Sequence, residues 1–144
     1  MDSFEMTVAA DGDLPALVLS VPTGDDLDRI TEICQDTDIQ EWTFVPRNYQ
    51  RSDAEFFVEQ VVAKGWSEGR DLTWAIREAD AGACPHLVGM LGITLSGPEG
   101  ARTGEVGYWL AAAARGRGTM TRAVAALIDM AFDPKGPLAL SALR

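Results

Sequence analysis

Three arginines, Arg115, Arg117 and Arg122, stand around Gly116 and Gly118 in the stretch YWLAAAARGRGTMTRAV, residues 108–124 of a chain with formal net charge −10. Glycine carries no Cβ, so the backbone there can turn sharply and come close to a ligand. The apolar spacing from Met120 onward predicts a helix directly after the loop. The first amides of a helix have no partner inside it, and together with the helix dipole they form an anion site from main chain alone. Arg115 and Arg117 add fixed positive charge. At an exposed site the dipole contributes about 0.3–1 kcal/mol, so hydrogen bonds must carry most of the affinity. The chemistry suited to these residues is the holding of a cofactor's diphosphate.

Two common phosphate loops do not match. GxxxxGK[ST] requires a lysine before Ser or Thr, and here Thr121 follows Met120. GxGxxG requires glycine where Thr121 stands, and the preceding strands read as hairpins, the wrong setting for a dinucleotide fold. An ordinary solvated strand-to-helix turn is the other reading of RGRG taken alone.

At 144 residues and 47% hydrophobic, the sequence supports one domain with one core. Residues 1–13 read as a flexible N-terminal tail and residues 14–144 as the domain. No apolar run spans a bilayer, and MDSFEMTVAADGD has neither a basic start nor an apolar stretch, so the expected location is cytoplasmic, with no membrane partner. Cys34 and Cys84 lie far apart without metal-type spacing and read as free thiols; no metal is expected. Before Trp42 eleven acids face Arg29 alone, whereas between Arg102 and Arg122 Glu105 is the one acid. A pI near 4.4 argues against nucleic-acid binding and is compatible with a cationic substrate.

The elements that would position the loop follow from periodicity. Leu17–Val21 reads as a first strand, and Thr23 caps a helix with Asp25 and Asp26 in its first turn. DIQEWTFVPRNYQ reads as irregular. Ser52 and Glu55 form a capping box for a second helix with Ala54, Phe57, Val58, Val61 and Val62 inward, ending near Lys64-Gly65. Leu72, Trp74 and Ile76 alternate as a strand; EADAGACP is a turn; HLVGMLGITL and GEVGYWL complete an antiparallel meander. A helix from the loop to Asp133-Pro134 then leads to Leu138–Leu143, a strand expected to lie parallel to GEVGYWL.

GEVGYWLAAAARGRGTMTRAVAALIDMAF resembles the acetyl-CoA loop of the GNAT N-acetyltransferases, whose pattern is Arg/Gln-x-x-Gly-x-Gly/Ala. Arg115 and Gly118 fill its first and fourth places, and Met120 stands where the family usually has a small residue. IQEWTFVPRNYQRSDAEFFV is similar to the acceptor-side helices of the branch that acetylates N-terminal alanines of ribosomal proteins. The resemblance implies an α/β fold with a mixed sheet: first strand, two helices, three-stranded meander, crossover helix and parallel fifth strand. It also implies that Gly116, Arg117, Gly118, Thr119, Met120 and Thr121 bind the diphosphate of acetyl-CoA through their amides. Trp109 and Leu110 would pair with the pantetheine arm, with Leu110 N–H as donor to the thioester carbonyl. Trp42 and Tyr49 would line the acceptor pocket, unless they simply pack a loop onto the core.

Transfer to an amine needs the neutral amine. An α-amino group has a pKa of about 7.7–8.0, so a weak base suffices, and Glu105 is the candidate; a strand carboxylate paired with Arg102 or Arg115 is the alternative. His86 reads as structural. The family continues beyond its fifth strand, whereas this chain ends at Arg144 with Asn48 its only asparagine, so it reads as a domain truncated there. Leu138–Leu143 would then be a bare apolar edge through which a homodimer could form. The expected function is acetyl transfer from acetyl-CoA to a protein N-terminus or small amine by direct attack on the thioester. The rival is a non-catalytic acyl-CoA-binding or assembly module.

Overall fold

Alternation at Leu72, Trp74 and Ile76 and a more continuous apolar run in HLVGMLGITL make long strands, and a computed structural model shows how they are assembled; it describes residues 1–79 and 85–144. The strands are β3 (Asp71–Ala79), β4 (His86–Ser96) and β5 (Thr103–Leu110), an antiparallel meander as expected. Most of the expected turn EADAGACP, with Cys84, lies outside the described residues. Before the meander come β1 (Met6–Val8) and β2 (Ala16–Ser20), and after it β6 (Ala142–Leu143), giving the order β1-β2-β3-β4-β5-β6. Only the β5–β6 pair is parallel.

β1 corrects the expectation of a tail at residues 1–13. Met6, Thr7 and Val8 pair with Leu19, Val18 and Leu17. Phe4 packs edge-on against Trp66 and Trp74 at 5.4 and 5.6 Å, and Trp74 Nε1 donates to its carbonyl at 2.9 Å. Burying an aromatic side chain and giving an indole N–H its acceptor together fix the segment.

Thr23 caps as the sequence predicts, Asp25 N–H donating to its Oγ1, and Asp26 adds a reciprocal cap by accepting from Thr23 N–H at Oδ2. A single 3-10 turn leads into α1 (Leu27–Ile33). The segment expected to be irregular contains α2 (Thr37–Trp42), capped by Asp36, whose side chain accepts from Asp38 N–H at 2.9 Å. The next helix begins at Arg51, capped by Gln50 and Asp53 rather than by Ser52 and Glu55. It runs as α3 (Arg51–Phe56), a wider i→i+5 stretch (Phe57–Val62) and α4 (Ala63–Glu68). Wider turns make four residues the inward repeat, so Ala54, Val58 and Val62 are buried while Val61, expected inside, is exposed. Gly65 does not end this helix. A Cβ there would overlap the carbonyl oxygen of Asp71, and the stop is Gly69, at φ +64°.

α5 (Thr119–Ala131) lies on one face of the sheet, over Leu72, Trp74, Ile76, Leu91 and Ile93. α1, α2 and α3 cover the other, over Ala75, Leu87 and Met90. The last segment departs from expectation as well. Leu138 and Leu140 are buried against α5 and the sheet, so the predicted bare apolar edge does not exist. β6 pairs only with Thr103 and Gly104, and Val106 N–H donates to Arg144 O. Gly104 lets this approach happen, since a Cβ there would meet Ile93 and Leu140 side chains at 2.6 and 2.9 Å. Among the described residues, no helix is long and apolar enough to cross a membrane.

Candidate active site

β5 is where two cavities meet. In an antiparallel pair, residues alternate between bonding the neighbouring strand and pointing their main-chain groups away from it. Ala111 N–H donates to Val88 O at 2.7 Å, and the register pairs Trp109 with Met90 and Leu110 with Gly89. Trp109 therefore spends its N–H and C=O on β4, while Tyr108 and Leu110 present theirs on the opposite edge. This corrects the expected pairing residues from Trp109 and Leu110 to Tyr108 and Leu110. β6 covers that edge only as far as Val106.

β5 leads through a 3-10 turn at Ala112–Ala114 into the loop. Gly116 and Gly118 have φ +81° and +73°, left-handed values that a side chain strains. Gly118 is the N-cap of α5. Among the described residues, no N–H from Gly116 to Thr121 has a carbonyl or side-chain acceptor; the first amide of the series to be satisfied is that of Arg122, on Gly118 O at 3.0 Å. Six successive donors without acceptors, next to two left-handed glycines at a helix start, are main-chain groups of the kind that can hold an anion. Gly116, Gly118, Thr119, Met120 and Thr121 border a cavity of about 690 Å³ that also touches Leu110, Trp109, Arg115 and Trp42.

The arginines do not supply free charge to it. Arg115 donates to Leu110 O at 3.1 Å and to Asp36 Oδ2 at 3.0 Å, with Asp38 3.9 Å away. Arg117 donates to Glu78 Oε1 at 2.8 Å. Arg122 donates to Ala9 O at 2.8 Å. Thr119 is buried and its hydroxyl turns to Glu78 at 3.3 Å, while Met120 packs toward the core. What the loop offers a ligand is its main chain.

The second cavity, about 620 Å³, lies against the other side of β5. Its walls include Trp42, Phe44, Tyr49, Phe56, Met90 and Trp109, with Asp53, Asp71 and Glu105 among them. The two cavities share Trp42, Thr43, Tyr108 and Trp109. Trp42 is 80% exposed at the mouth, so it does not serve as core packing. Tyr49 is the opposite: at 5% exposure it forms part of the cavity's inner wall, as does the buried Cys34. Burial pushes the Cys34 thiol up to about 12, against a downward pull from the Tyr49 hydroxyl. Burial, with the negative charge of Cys34 thiolate and Asp53 opposing ionisation, raises the Tyr49 phenol too. Both groups stay protonated at neutral pH, so neither acts as a base. Glu105 is exposed on the cavity side of β5 opposite Thr94, and among the described residues it has no ion-pair partner; Arg115, offered as one, is engaged by Asp36. Among the described residues no cluster of His, Cys, Asp and Glu is arranged to hold a metal.

Sequence reasoning missed Asp36, Glu78 and Cys34 as neighbours of this site. Asp36 had a readable signal, an Asp two residues before a second acid at a helix start, but its distance in sequence from Arg115 hid the pairing. Glu78, at the end of a strand, gave none.

The family model for the acetyltransferase (GNAT) domain matches residues 16–142. No curated protein sequence matches the chain. Among solved structures, a candidate ribosomal-protein-serine acetyltransferase from Vibrio cholerae aligns with TM-score 0.71 at 21% identity, over 90% of this chain and 67% of that one. RimJ of Mycobacterium smegmatis, solved with CoA-disulfide, aligns with TM-score 0.63 at 18% identity, over 88% and 59%. Spermidine N-acetyltransferase of Vibrio cholerae, solved with CoA and spermine, gives 0.62 at 16%, over 81% and 63%. The chain thus spans about two thirds or less of the length of these structures, and at such identities the likeness establishes the fold.

Proposed function

The chain belongs to the GNAT acetyltransferase family, and from that premise we propose that it is a cytoplasmic N-acetyltransferase moving an acetyl group from acetyl-CoA to a primary amine. One observation carries this reading: the unpaired main-chain edge of β5 runs directly into six acceptor-free amides beside the first cavity, and that cavity shares Trp42, Thr43, Tyr108 and Trp109 with the one that holds Glu105. The amides of residues 116–121 bind the diphosphate. Tyr108 and Leu110 pair with the amide groups of the pantetheine arm as a neighbouring strand would. Leu110 N–H then faces the thioester carbonyl and stabilises the negative charge that develops on its oxygen.

The acceptor enters from the second cavity, whose apolar walls and three carboxylates suit a cationic amine carried on an apolar body. A protein N-terminus or a small amine fits that description. Glu105, directly or through one water, takes a proton from the ammonium and leaves the lone pair free. The amine nitrogen bonds to the carbonyl carbon, the C–S bond breaks, and the thiolate departs. The proton released from nitrogen as the amide forms returns charge balance by way of solvent.

Free-thiol release from acetyl-CoA, followed across a panel of N-terminal peptides, polyamines and amino sugars, tests the proposal. Amine-dependent release is the expected result. Thermal stabilisation by acetyl-CoA with no release under any acceptor would replace it with the non-catalytic acyl-CoA-binding module.

A further inference from the structure

Beneath the loop sits a carboxylate that acetyl transfer does not call for. Glu78 continues the row Leu72, Trp74, Ile76 on β3, where the other side chains are buried apolar groups under α5. It is 3% exposed. A buried carboxylate costs stability unless paired, and one placed under an anion site also opposes the ligand by its charge. Its partners account for it. The same oxygen, Oε1, accepts from Arg117 Nη2 at 2.8 Å and from Thr119 Oγ1 at 3.3 Å. Arg117 and Thr119 are the two residues flanking Gly118, the left-handed N-cap on which the run of free amides turns.

We propose that Glu78 is a positioning residue for the diphosphate loop, pinning the turn at Gly118 from both sides so that the amides of residues 116–121 converge before the ligand arrives. Arg117 is the other half of the device. Its guanidinium, 43% exposed, neutralises Glu78 and is thereby directed inward, so the pair adds little net charge to the site. The inference rests on the reading of the loop as the diphosphate site. Preorganisation of this kind lowers the ordering cost that binding would otherwise bear, and it acts only on the part of the ligand that touches the loop.

The test compares acetyl-CoA with S-acetylpantetheine, which keeps the thioester and arm but lacks the diphosphate. Glu78→Gln is expected to weaken acetyl-CoA binding about 10-fold while changing kcat/KM for S-acetylpantetheine by no more than about twofold. Arg117→Ala leaves the carboxylate unpaired under the diphosphate and is expected to cost about 30-fold, part of which the double variant R117A/E78Q recovers. Should Glu78→Gln melt below the assay temperature, Thr119→Val removes one of the two clamps at nearly constant volume, with about a threefold loss expected on acetyl-CoA alone. Unchanged or tighter acetyl-CoA binding by E78Q would overturn the proposal, because the carboxylate would then be competing with the ligand for Arg117. Equal losses on both thioesters would overturn it too. Wild-type protein that binds no acetyl-CoA would instead sink the reading of the loop itself.

Discussion

The two sides of the β5 cleft are built from opposite materials. On the loop side, charged side chains are abundant and almost all are engaged: Arg115 with Asp36, Arg117 with Glu78, Arg122 with a carbonyl. What remains on offer to the proposed ligand is bare amides. On the side of the second cavity, large apolar groups stand open, with Trp42 and Phe44 exposed, and among the described residues Glu105 has no ion-pair partner. On the proposed reading, recognition on the first side is a matter of backbone shape, which substitutions that change φ or release the Glu78 clamp would disturb. On the second side it rests on side chains, which can be exchanged one at a time without altering the fold. Specificity can therefore drift on one wall while the other stays fixed.

The most damaging change should be Gly118→Val. At φ +73° a β-branched residue is strained, and the amides it would carry cannot converge. Calorimetry should show acetyl-CoA binding abolished, with the melting temperature lowered as well, since the left-handed backbone strains the new side chain even though nothing lies within 4 Å of its Cβ.

A change outside both walls gives the control. Arg77 holds Asp26 by two bonds of 2.6 and 2.8 Å, both side chains largely buried. Burial works to raise the Asp26 pKa, but the Arg77 hydrogen bonds, the Thr23 N–H and the Arg77 charge hold the carboxyl below its ordinary value. The stability this contributes is full above the unfolded pKa of about 3.9 and is lost as pH falls toward the lower folded value. Arg77→Ala should destabilise by about 3–5 kcal/mol in denaturant titration, with the binding constant for acetyl-CoA unchanged in the folded fraction. Asp26→Asn should flatten the acid limb of the stability curve.

Glu105→Gln probes the acceptor wall. It should lower kcat about 100-fold at neutral pH, within the range of general-base effects, and leave acetyl-CoA affinity alone. A fall in both would mean that the two walls are not independent. The smallest effect expected is from Trp42→Ala: about a fivefold rise in the acceptor KM, equivalent to about 1 kcal/mol of lost apolar contact, with no change for acetyl-CoA.

What could be read from sequence was what local chemistry dictates. The meander showed because Leu72, Trp74 and Ile76 repeat every two residues on a sheet covered by helices. The loop showed because left-handed turns require glycine. β1 was invisible, since MTV is three residues long and is held by Phe4 and Trp74 from far along the chain. The start of the helix at Arg51 was misplaced by two residues because two caps compete, Gln50–Asp53 against Ser52–Glu55, and its wide turn shifted Val61 outward. The roles of Arg115 and Arg117 were misjudged for a related reason. Their carboxylate partners lie 79 and 39 residues away, a pairing that only the folded topology makes.

The alternation along β5 has a consequence for how this protein can vary. Exchanging one side chain for another in Thr103–Leu110, Gly104 apart, leaves every peptide group oriented as before, whereas adding or deleting a single residue there would swap inward and outward edges for all that follow. Libraries of homologues or engineered variants should thus be rich in point changes across this strand and empty of single-residue insertions and deletions.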